Sequence, residues 1–410
     1  DLACDPEGSK AVLRLLDDRE AAPRVVAAFA IAAPDAVQRI CMHAQGNYVA
    51  QKVLQQLMIQ PLSAASPVSQ EEEKEGRHRG ESANGRQPQP THLIRTFCGK
   101  WSGCFYEVVT DTYGCRVVQR ALDLLGGGVG SDGGTSGARG GTSRGGHTRG
   151  SARGASSLTK GSGSASAPTE VVCPPSNVDA LRSAIADLLP ELQPRAAKVV
   201  VDQNGNHVAQ RLLDRYGASG ELWWLVEAFR EHLMSVGQHV YGCRVGQRIF
   251  EVIGDGFKGG AESNVSVRRN LDAAKRLPAE VIRNCRVLTV DQYGNYIVQH
   301  LLANCTAGPR TEVYLALKDS IDTLSQQKFS SNVIERLLDV LGADERDGLA
   351  AKLLEPSDYP IAVPLMQDAF ANYVIQRVVE KLGKQSPVQA RLLAVVKQHE
   401  GRIAQSTYGH

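Results

Sequence analysis

The stretch DQYGNYIVQHLL, from Asp291 to Leu302, contains the pattern that the rest of the chain repeats. On a helix, Asn295 and Gln299 are four residues apart and share one face, with Tyr296 beside them. The opposite side carries an apolar stripe, formed by Ile297, Val298, Leu301 and Leu302. The stretch therefore predicts an amphipathic helix, which we call the signature helix, with one polar face and one face that needs a packing partner.

Variants of this segment recur along the chain. They are GSKAVLRLL from Gly8 (a weaker copy), GNYVAQKVL from Gly46, GCRVVQRAL from Gly114, GNHVAQRLL from Gly205, GCRVGQRIF from Gly242, SSNVIERLL from Ser330 and ANYVIQRVV from Ala371. Counted between the residues equivalent to Asn295, successive gaps are 38, 68, 91, 37, 52, 36 and 41 residues. A period just under forty is typical of a solenoid, in which stacked units bury one another's apolar faces.

The spacing predicts an all-α solenoid of eight repeats within one domain, residues 1–410. The repeats span approximately residues 1–19, 20–59, 93–125, 176–216, 220–253, 267–305, 308–342 and 343–383, with a C-terminal cap at 387–410. Inserts at 60–92, 126–175 and 254–266 account for the long gaps, and their polar or Gly/Ser-rich composition predicts disorder. Because the first repeat starts midway, we expect the chain to be a domain excised from a longer protein.

Composition bounds the function less tightly than the repeats do. A hydrophobic content of 42% and a charged content of 22% suit a soluble protein, and the net charge of +2 favours no polyanionic partner by itself. Nine cysteines form no CxxC pair, and no apolar run is long enough to span a membrane. We expect free thiols in a reducing, intracellular setting.

The polar face varies in an ordered way from copy to copy. We number the motif from Asn295 as the first position, so that Tyr296 is the second and Gln299 the fifth. The residues in the first, second and fifth positions are Ser9, Lys10 and Leu13; Asn47, Tyr48 and Gln51; Cys115, Arg116 and Gln119; Asn206, His207 and Gln210; Cys243, Arg244 and Gln247; Asn295, Tyr296 and Gln299; Ser331, Asn332 and Glu335; Asn372, Tyr373 and Gln376. Amides or a carboxylate beside flat side chains, one set per repeat, suit recognition of unpaired bases.

A structural alternative is that Asn and Gln four residues apart only hydrogen-bond each other on a solvated helix face. That accounts for one copy. It does not explain why the set persists while flanking residues drift, nor why the face carries Tyr, Arg and His.

These motifs resemble the Pumilio-homology domain of the Pumilio (PUF) family. The order NYxxQ, CRxxQ, NHxxQ, CRxxQ, NYxxQ, SNxxE and NYxxQ is typical of its sequence-specific members, and the resemblance covers the chain outside the inserts. It implies three-helix repeats arranged in a crescent, with each repeat contacting one base of single-stranded RNA on the concave face.

Part of the implied base code follows from base chemistry. Guanine presents two adjacent donors, which match the two acceptors of Glu335 beside the small Ser331. Uracil offers a donor between two acceptors and suits the Asn/Gln pairs. Cys115 with Gln119, and Cys243 with Gln247, leave room for a larger base, and the family code assigns adenine to them.

The family binds RNA antiparallel to the protein, which implies the target 5′-UGUAUAU-3′. A final A is expected to be weakly specified, because Leu13 stands where the family has Gln.

The resemblance implies binding to mRNA 3′ untranslated regions and repression of translation or mRNA stability by a cytoplasmic, monomeric protein that recruits deadenylase or repressor proteins. We expect no cofactor, no metal, no catalytic residues and no membrane contact. Two alternatives are a nucleolar PUF-like factor in ribosomal RNA processing, which would carry degenerate motifs, and an armadillo-like protein-binding scaffold.

Overall fold

The computed structural model describes residues 1–59, 89–126, 173–217, 219–256, 275–356, 359–383 and 386–407. Within these ranges the regular elements are all helices, and the structure contains no strand there. Most residues of the three predicted inserts lie outside the described ranges, and the prediction that the inserts are disordered therefore falls outside them too. None of the helices in the described ranges has the length and apolarity that crossing a bilayer requires.

Short helices follow one another along the chain in groups of about three. The helices are α1 (Pro6–Asp17), α2 (Ala22–Ile31), α3 (Pro34–Cys41), α4 (Gly46–Ile59), α5 (Pro90–Gly99), α6 (Phe105–Thr110), α7 (Gly114–Leu124), α8 (Pro175–Ala186), α9 (Leu189–Leu192), α10 (Ala196–Val201), α11 (Gly205–Tyr216), α12 (Trp223–Glu231), α13 (Leu233–Gly237), α14 (Gly242–Gly256), α15 (275–283), α16 (Cys285–Val290), α17 (Gly294–Asn304), α18 (Ala307–Leu317), α19 (Ile321–Ser325), α20 (Ser330–Val340), α21 (Ala343–Leu353), α22 (Ala362–Met366), α23 (Ala371–Lys381), α24 (Pro387–Gln398) and α25 (Glu400–Ile403). Short 3₁₀ segments cover Leu2–Cys4, Gln193–Arg195 and Lys318–Ser320.

Eight of these helices carry the repeated motif and stack in chain order. The signature helices are α1, α4, α7, α11, α14, α17, α20 and α23, and each packs against the next. The stack continues across the predicted inserts, since α4 contacts α7 and α7 contacts α11. The predicted α-solenoid is confirmed.

The apolar stripe of each signature helix forms the core of the stack. In α17, Ile297, Val298, Leu301 and Leu302 have no exposed surface. Fully burying one such aliphatic side chain stabilises the fold by roughly 1.5–3 kcal/mol. Because the stripe faces neighbouring repeats, stability is shared between units.

The start of each signature helix has its own recurring device. In α17, Asp291 Oδ1 accepts hydrogen bonds from the backbone N–H groups of Tyr293 at 2.9 Å and Gly294 at 2.7 Å. Side chains in equivalent places do the same in other repeats: Asp5, Asp111, Asp202 and Asp368 through carboxylates, and His43 and His239 through Nδ1. These contacts satisfy backbone donors that an open helix end leaves unpaired.

The residue before the first position is glycine where the chain crosses the preceding helix closely. A Cβ on Gly242 would lie 2.1 Å from the Val236 carbonyl oxygen. In α20 that place is held by Ser330, whose hydroxyl donates to the equivalent carbonyl, that of Leu324, at 2.5 Å. The serine thus turns a close approach into a hydrogen bond.

Three helix ends differ from the predicted insert boundaries, one of them that of α8, which begins at Pro175, the last residue of the predicted insert 126–175. Helix α5 begins at Pro90, inside the predicted insert 60–92, because proline is favoured at the first turn of a helix. Helix α14 continues to Gly256, inside the predicted insert 254–266. After the last repeat, Ser386 caps α24, and Gln389 Nε2 donates to the Val379 carbonyl at 3.0 Å, which ties the cap to α23.

Candidate RNA interface

Each of the three variable positions of the motif has nearly the same burial from one signature helix to the next. First-position residues are buried, as in Asn47, Asn206 and Cys243. Second-position residues are exposed, with 51% of Tyr48 and 46% of Tyr296 accessible. Fifth-position residues are half-buried in all repeats but the last, where Gln376 is exposed. The stack therefore presents one exposed side chain and one partly accessible polar group per repeat.

The buried asparagines hold their own helix ends. Asn295 Nδ2 donates to the carbonyls of Asp291 at 2.9 Å and Gln292 at 3.0 Å. Asn47 and Asn206 make the same pair of bonds, and Asn372 makes the first of them to Asp368 at 2.7 Å. Because an amide nitrogen has two hydrogens, these contacts use the donors of the buried asparagine.

The asparagine oxygen then orients the fifth residue. Gln299 Nε2 donates to Asn295 Oδ1 at 2.8 Å. The equivalent distances are 3.0 Å for Gln51 to Asn47, 3.1 Å for Gln210 to Asn206 and 3.4 Å for Gln376 to Asn372. The hydrogen bond between Asn and Gln four residues apart, which the structural alternative predicted, is thus present. In Gln51, Gln299 and Gln376 it leaves the second amide hydrogen and the amide oxygen for an outside partner, in a fixed orientation. Gln210 Nε2 also donates to the Asn206 carbonyl at 3.2 Å, so in that repeat the amide oxygen is the group left for an outside partner.

Where the first residue is cysteine, the fifth residue lacks the amide oxygen and meets only the thiol, as Gln119 does at Cys115 and Gln247 does at Cys243. Cys115 Sγ lies 3.5 Å from the Thr112 carbonyl, and Cys243 Sγ lies 3.6 Å from that of Val240. Burial raises the pKa of both thiols, that of Cys243 to about 11, so both stay neutral at physiological pH. A nucleophilic cysteine needs a lowered pKa, so neither thiol suits that role. Both are small, neutral side chains.

The seventh signature helix replaces the amide with a carboxylate. Glu335 stands beside Ser331, whose hydroxyl donates to the Lys328 carbonyl at a long 3.4 Å. Burial raises the pKa of Glu335, and the nearby guanidinium of Arg377 opposes that shift. Arg377 Nη2 lies 3.9 Å from Glu335 Oε2.

The exposed second positions offer flat surfaces. Three are tyrosines, two are arginines, and the histidine, His207, has a pKa lowered first by burial and then by Arg244 and Arg211. At physiological pH it is therefore a neutral ring. Asn332 Nδ2 donates to the Lys328 carbonyl at 3.0 Å, which fixes its amide plane. In the first repeat, Lys10 pairs with Glu7 at 2.8 Å.

A row of contacts between neighbouring signature helices was not foreseen from the sequence. The sixth position is Lys, Arg or His in all eight copies, and from the second copy onward it lies opposite the ninth position of the preceding copy. The pairs are Lys52 with Asp17 at 2.7 Å, Arg120 with the amide of Gln55, Arg211 with Asp123, Arg248 with Asp214, His300 with Glu251 at 3.4 Å and Arg377 with Asp339 at 3.9 Å. Opposite Arg336 stands Ala303, and Arg336 lies 3.8 Å from Asp339 of its own helix. Aligning the sixth and ninth positions would have shown the recurring basic and mostly acidic residues of this ladder, but not that they meet.

Sequence comparison assigns these repeats. The Pumilio-family RNA binding repeat matches residues 37–57, 104–127, 196–218, 232–256, 284–314, 320–354 and 362–385, and each range contains one signature motif. The chain belongs to the Pumilio family. The first predicted Pumilio repeat, residues 1–19, lies outside the matched ranges, in line with its weaker motif. The exact repeat boundaries stay predictions.

Individual relatives agree with the Pumilio assignment. Pumilio homolog 9 of Arabidopsis thaliana is 31% identical over 217 residues, which are 53% of this chain and 34% of that protein. Fem-3 mRNA-binding factor 2 of Caenorhabditis elegans is 29% identical over 206 residues, 47% of this chain and 32% of that protein. The chain thus spans about a third of the length of these Pumilio relatives.

Solved Pumilio structures share the fold over the whole chain. PUF-8 in complex with PBE-RNA aligns with a TM-score of 0.66 at 17% identity, covering 100% of this chain and 88% of the other. The Puf4 RNA binding domain bound to the HO endonuclease RNA 3′ UTR recognition sequence aligns with a TM-score of 0.63 at 19% identity, covering 100% and 95%. At these identities the likeness establishes the fold. Among the residues described here, no cluster of three or more His, Cys, Asp or Glu could hold a metal ion.

Proposed function

We propose that this domain binds single-stranded RNA containing 5′-UGUAUAU-3′, with a weakly specified A after it. The observation that carries the proposal is the repeated geometry of the signature helices: a buried first residue, an exposed second residue and an oriented fifth residue, once per stacked repeat. Ordered along the solenoid, these sets form a row of base-sized sites.

Uracil suits the four Asn/Gln repeats. With one hydrogen of Gln299 held by Asn295, the amide keeps one donor and one acceptor side by side. Uracil's N3–H and a neighbouring carbonyl oxygen complement that pair. The buried asparagine thereby decides which way the glutamine faces, and the glutamine contacts the base.

Guanine suits Glu335, and adenine suits the two Cys/Gln repeats. The ionised carboxylate accepts from guanine's N1–H and N2 amino groups and repels the carbonyl oxygens of uracil. At Cys115 and Cys243 the small neutral thiols leave space for a purine, and the family code supplies the assignment to adenine.

Stacking holds the row of bases together. A base lying between Tyr296 and its neighbour Arg244 contacts an aromatic ring on one side and a guanidinium plane on the other. Each such stacked base contributes roughly 1–3 kcal/mol and tolerates any sequence. Specificity therefore comes from the fifth position, and affinity comes largely from the second.

The biological role that we propose follows the relatives. The Puf4 structure contains a 3′ UTR recognition sequence, and the worm relative is described as an mRNA-binding factor. We propose that this protein acts in the cytoplasm as a monomer, binds 3′ untranslated regions and lowers translation or mRNA stability through deadenylase or repressor proteins. The seven intact motifs favour this role over ribosomal RNA processing.

The deciding experiment compares Glu335→Gln with the parent domain on UGUAUAUA and UUUAUAUA. The parent should prefer the first RNA by about 1–3 kcal/mol, the range for one bidentate base contact. The variant should lose most of that preference.

Glu312→Gln is the matched control, because it removes the same charge from an exposed place on α18. It should keep the parent's preference. If the parent binds both RNAs equally, or neither, the assignment of one base per repeat is wrong and a protein-binding scaffold becomes the better hypothesis.

A further inference from the structure

The last contact of the interhelical ladder differs from the others in the group that it approaches. In this contact Arg377 Nε lies 3.9 Å from Asp339, and Nη2 of the same guanidinium lies 3.9 Å from Glu335. In the other repeats the fifth position is an uncharged side chain, so the ladder cation has no charged neighbour there. Arg377 thus stands between a structural acid and the carboxylate assigned to guanine.

Two neighbouring side chains leave Arg377 available to interact with Glu335. Lys381 Nζ lies 3.0 Å from Asp339 Oδ1 and supplies that acid with a closer cation than Arg377 does. On the other side, Glu380 lies 3.2 Å from Arg377 Nη1 and holds the guanidinium in place. The eighth repeat therefore carries one cation for the ladder and a second, anchored one directed toward the seventh repeat.

We propose that Arg377 is a positioning residue for guanine recognition: it orients the Glu335 carboxylate and keeps it charged, so that specificity at the second RNA base depends on a side chain of the neighbouring repeat. This inference rests on the proposed binding of guanine by Glu335. Arg377 itself need not touch the base.

Glu335 is largely buried, and burial disfavours the charged form of its carboxyl group. Its side chain is 27% exposed, so the carboxylate has lost much of its hydration, and binding a base removes more. Burial raises its pKa, Arg377 lowers it, and Asp339 and Glu380 raise it. Among the described residues these are the charged groups that act on Glu335. On the other adjoining signature helix, His300 is kept neutral by burial, which lowers its pKa.

The charge of Glu335 decides how many hydrogen bonds it can accept from guanine. A carboxylate offers acceptors to both guanine donors, whereas a protonated carboxyl group presents a hydrogen where guanine also presents one. Each carboxylate oxygen has two acceptor sites, so Oε2 can face Arg377 and still accept from the base. Removal of Arg377 therefore weakens guanine binding although Arg377 itself does not contact the base.

The test measures RNA preference for Arg377→Met and Arg377→Lys beside the parent. The RNAs are UGUAUAUA, UUUAUAUA and UGCAUAUA, the last changed at the base assigned to Gln299. Arg377→Met should reduce the G-over-U preference at the second base on the order of tenfold, the effect of one charge-assisted contact. The U-over-C preference at the third base should be unchanged. Arg377→Lys should restore part of the lost preference, because it keeps the charge but not the planar fork.

A pH series separates this role from a packing role. As the pH falls, the G preference of the parent should decline when Glu335 becomes protonated. In Arg377→Met that decline should occur at higher pH, because the cation that opposes the raised pKa is gone.

Arg211→Met is the matched control, since it removes the ladder arginine of the fourth repeat, which contacts Asp123 of the third repeat. It should leave the G preference and its pH profile unchanged. If the parent prefers G and Arg377→Met prefers it equally, the inference is overturned and the proposed function stands. If Arg377→Met weakens all three RNAs by the same factor, Arg377 only stabilises the stack and the inference is also overturned. A parent without G preference overturns the proposed function first.

Discussion

The sixth and seventh signature helices, α17 and α20, share a backbone geometry but orient their base-contacting residues by different means. In α17, Asn295 binds its own helix end and holds Gln299 at 2.8 Å, so orientation is supplied within one helix. In α20, Ser331 makes one long hydrogen bond, and Glu335 faces Arg377 of the next repeat. On the proposed assignment of bases, uracil specificity is therefore local to a repeat, whereas guanine specificity is shared between two.

The difference has a physical origin in side-chain size. An amide at the first position reaches both the backbone carbonyls and the fifth residue, and a hydroxyl reaches only the carbonyl. A larger base needs the space that the hydroxyl leaves. On the proposed assignment of guanine to Glu335, the small Ser331 that leaves room for the base cannot also orient the carboxylate.

The largest contrast should appear in stability. Asn295→Ala leaves the carbonyls of Asp291 and Gln292 without their side-chain donor, and it should lower the free energy of unfolding by about 2–3 kcal/mol. Ser331→Ala removes a weak bond and should lower it by less than about 1 kcal/mol. Urea denaturation of both variants checks this, and equal losses would contradict the different roles of the two first positions.

The second contrast concerns affinity through stacking. Tyr296→Ala should weaken binding of UGUAUAUA by about 1–3 kcal/mol, because it removes an exposed aromatic face. Asn332→Ala, which removes a smaller plane, should have less effect. Titrations at one salt concentration measure both. Tyr359→Ala, an exposed tyrosine outside the signature helices, is the control and should bind like the parent.

The smallest contrast is the response to pH. The pKa of Glu335 is raised by burial, so its carboxylate is charged above that pKa and protonated as the pH falls through it. As the pH falls from 7 through the raised pKa of Glu335, the parent's G preference should decline, because the protonated carboxyl group loses its second acceptor. The U preference at the base assigned to Gln299 should stay constant, because a carboxamide does not titrate in this range. Parallel declines at both bases would argue against a specific role for the Glu335 charge.

The parts of the molecule that depend on one helix were accessible from the pattern of residues. The stripe of Ile297 and Leu301 indicated a buried face, and the place of Tyr296 indicated an exposed one; both are confirmed. The cap residue Asp291 stands in the quoted stretch, and the recurrence of an acid at the equivalent place in other repeats is a further signal of the helix starts. The assignment of bases to positions stays a prediction.

The contacts between two helices could not be predicted from the pattern of residues. Contacts such as Lys52 with Asp17 join residues 35 positions apart, and the insert between the third and fourth repeats changes that separation for Arg211 and Asp123. Only the packed stack shows which positions meet.

The sequence by itself determined the helical period, the repeat length, the polar face and the family resemblance, because a helix brings together residues three and four apart whatever surrounds it. The tertiary structure decided how asparagine divides its hydrogen bonds, which acids the ladder cations reach and that Arg377 lies beside Glu335. Those relations depend on the distance and rotation between neighbouring helices, which the packing of their buried side chains sets.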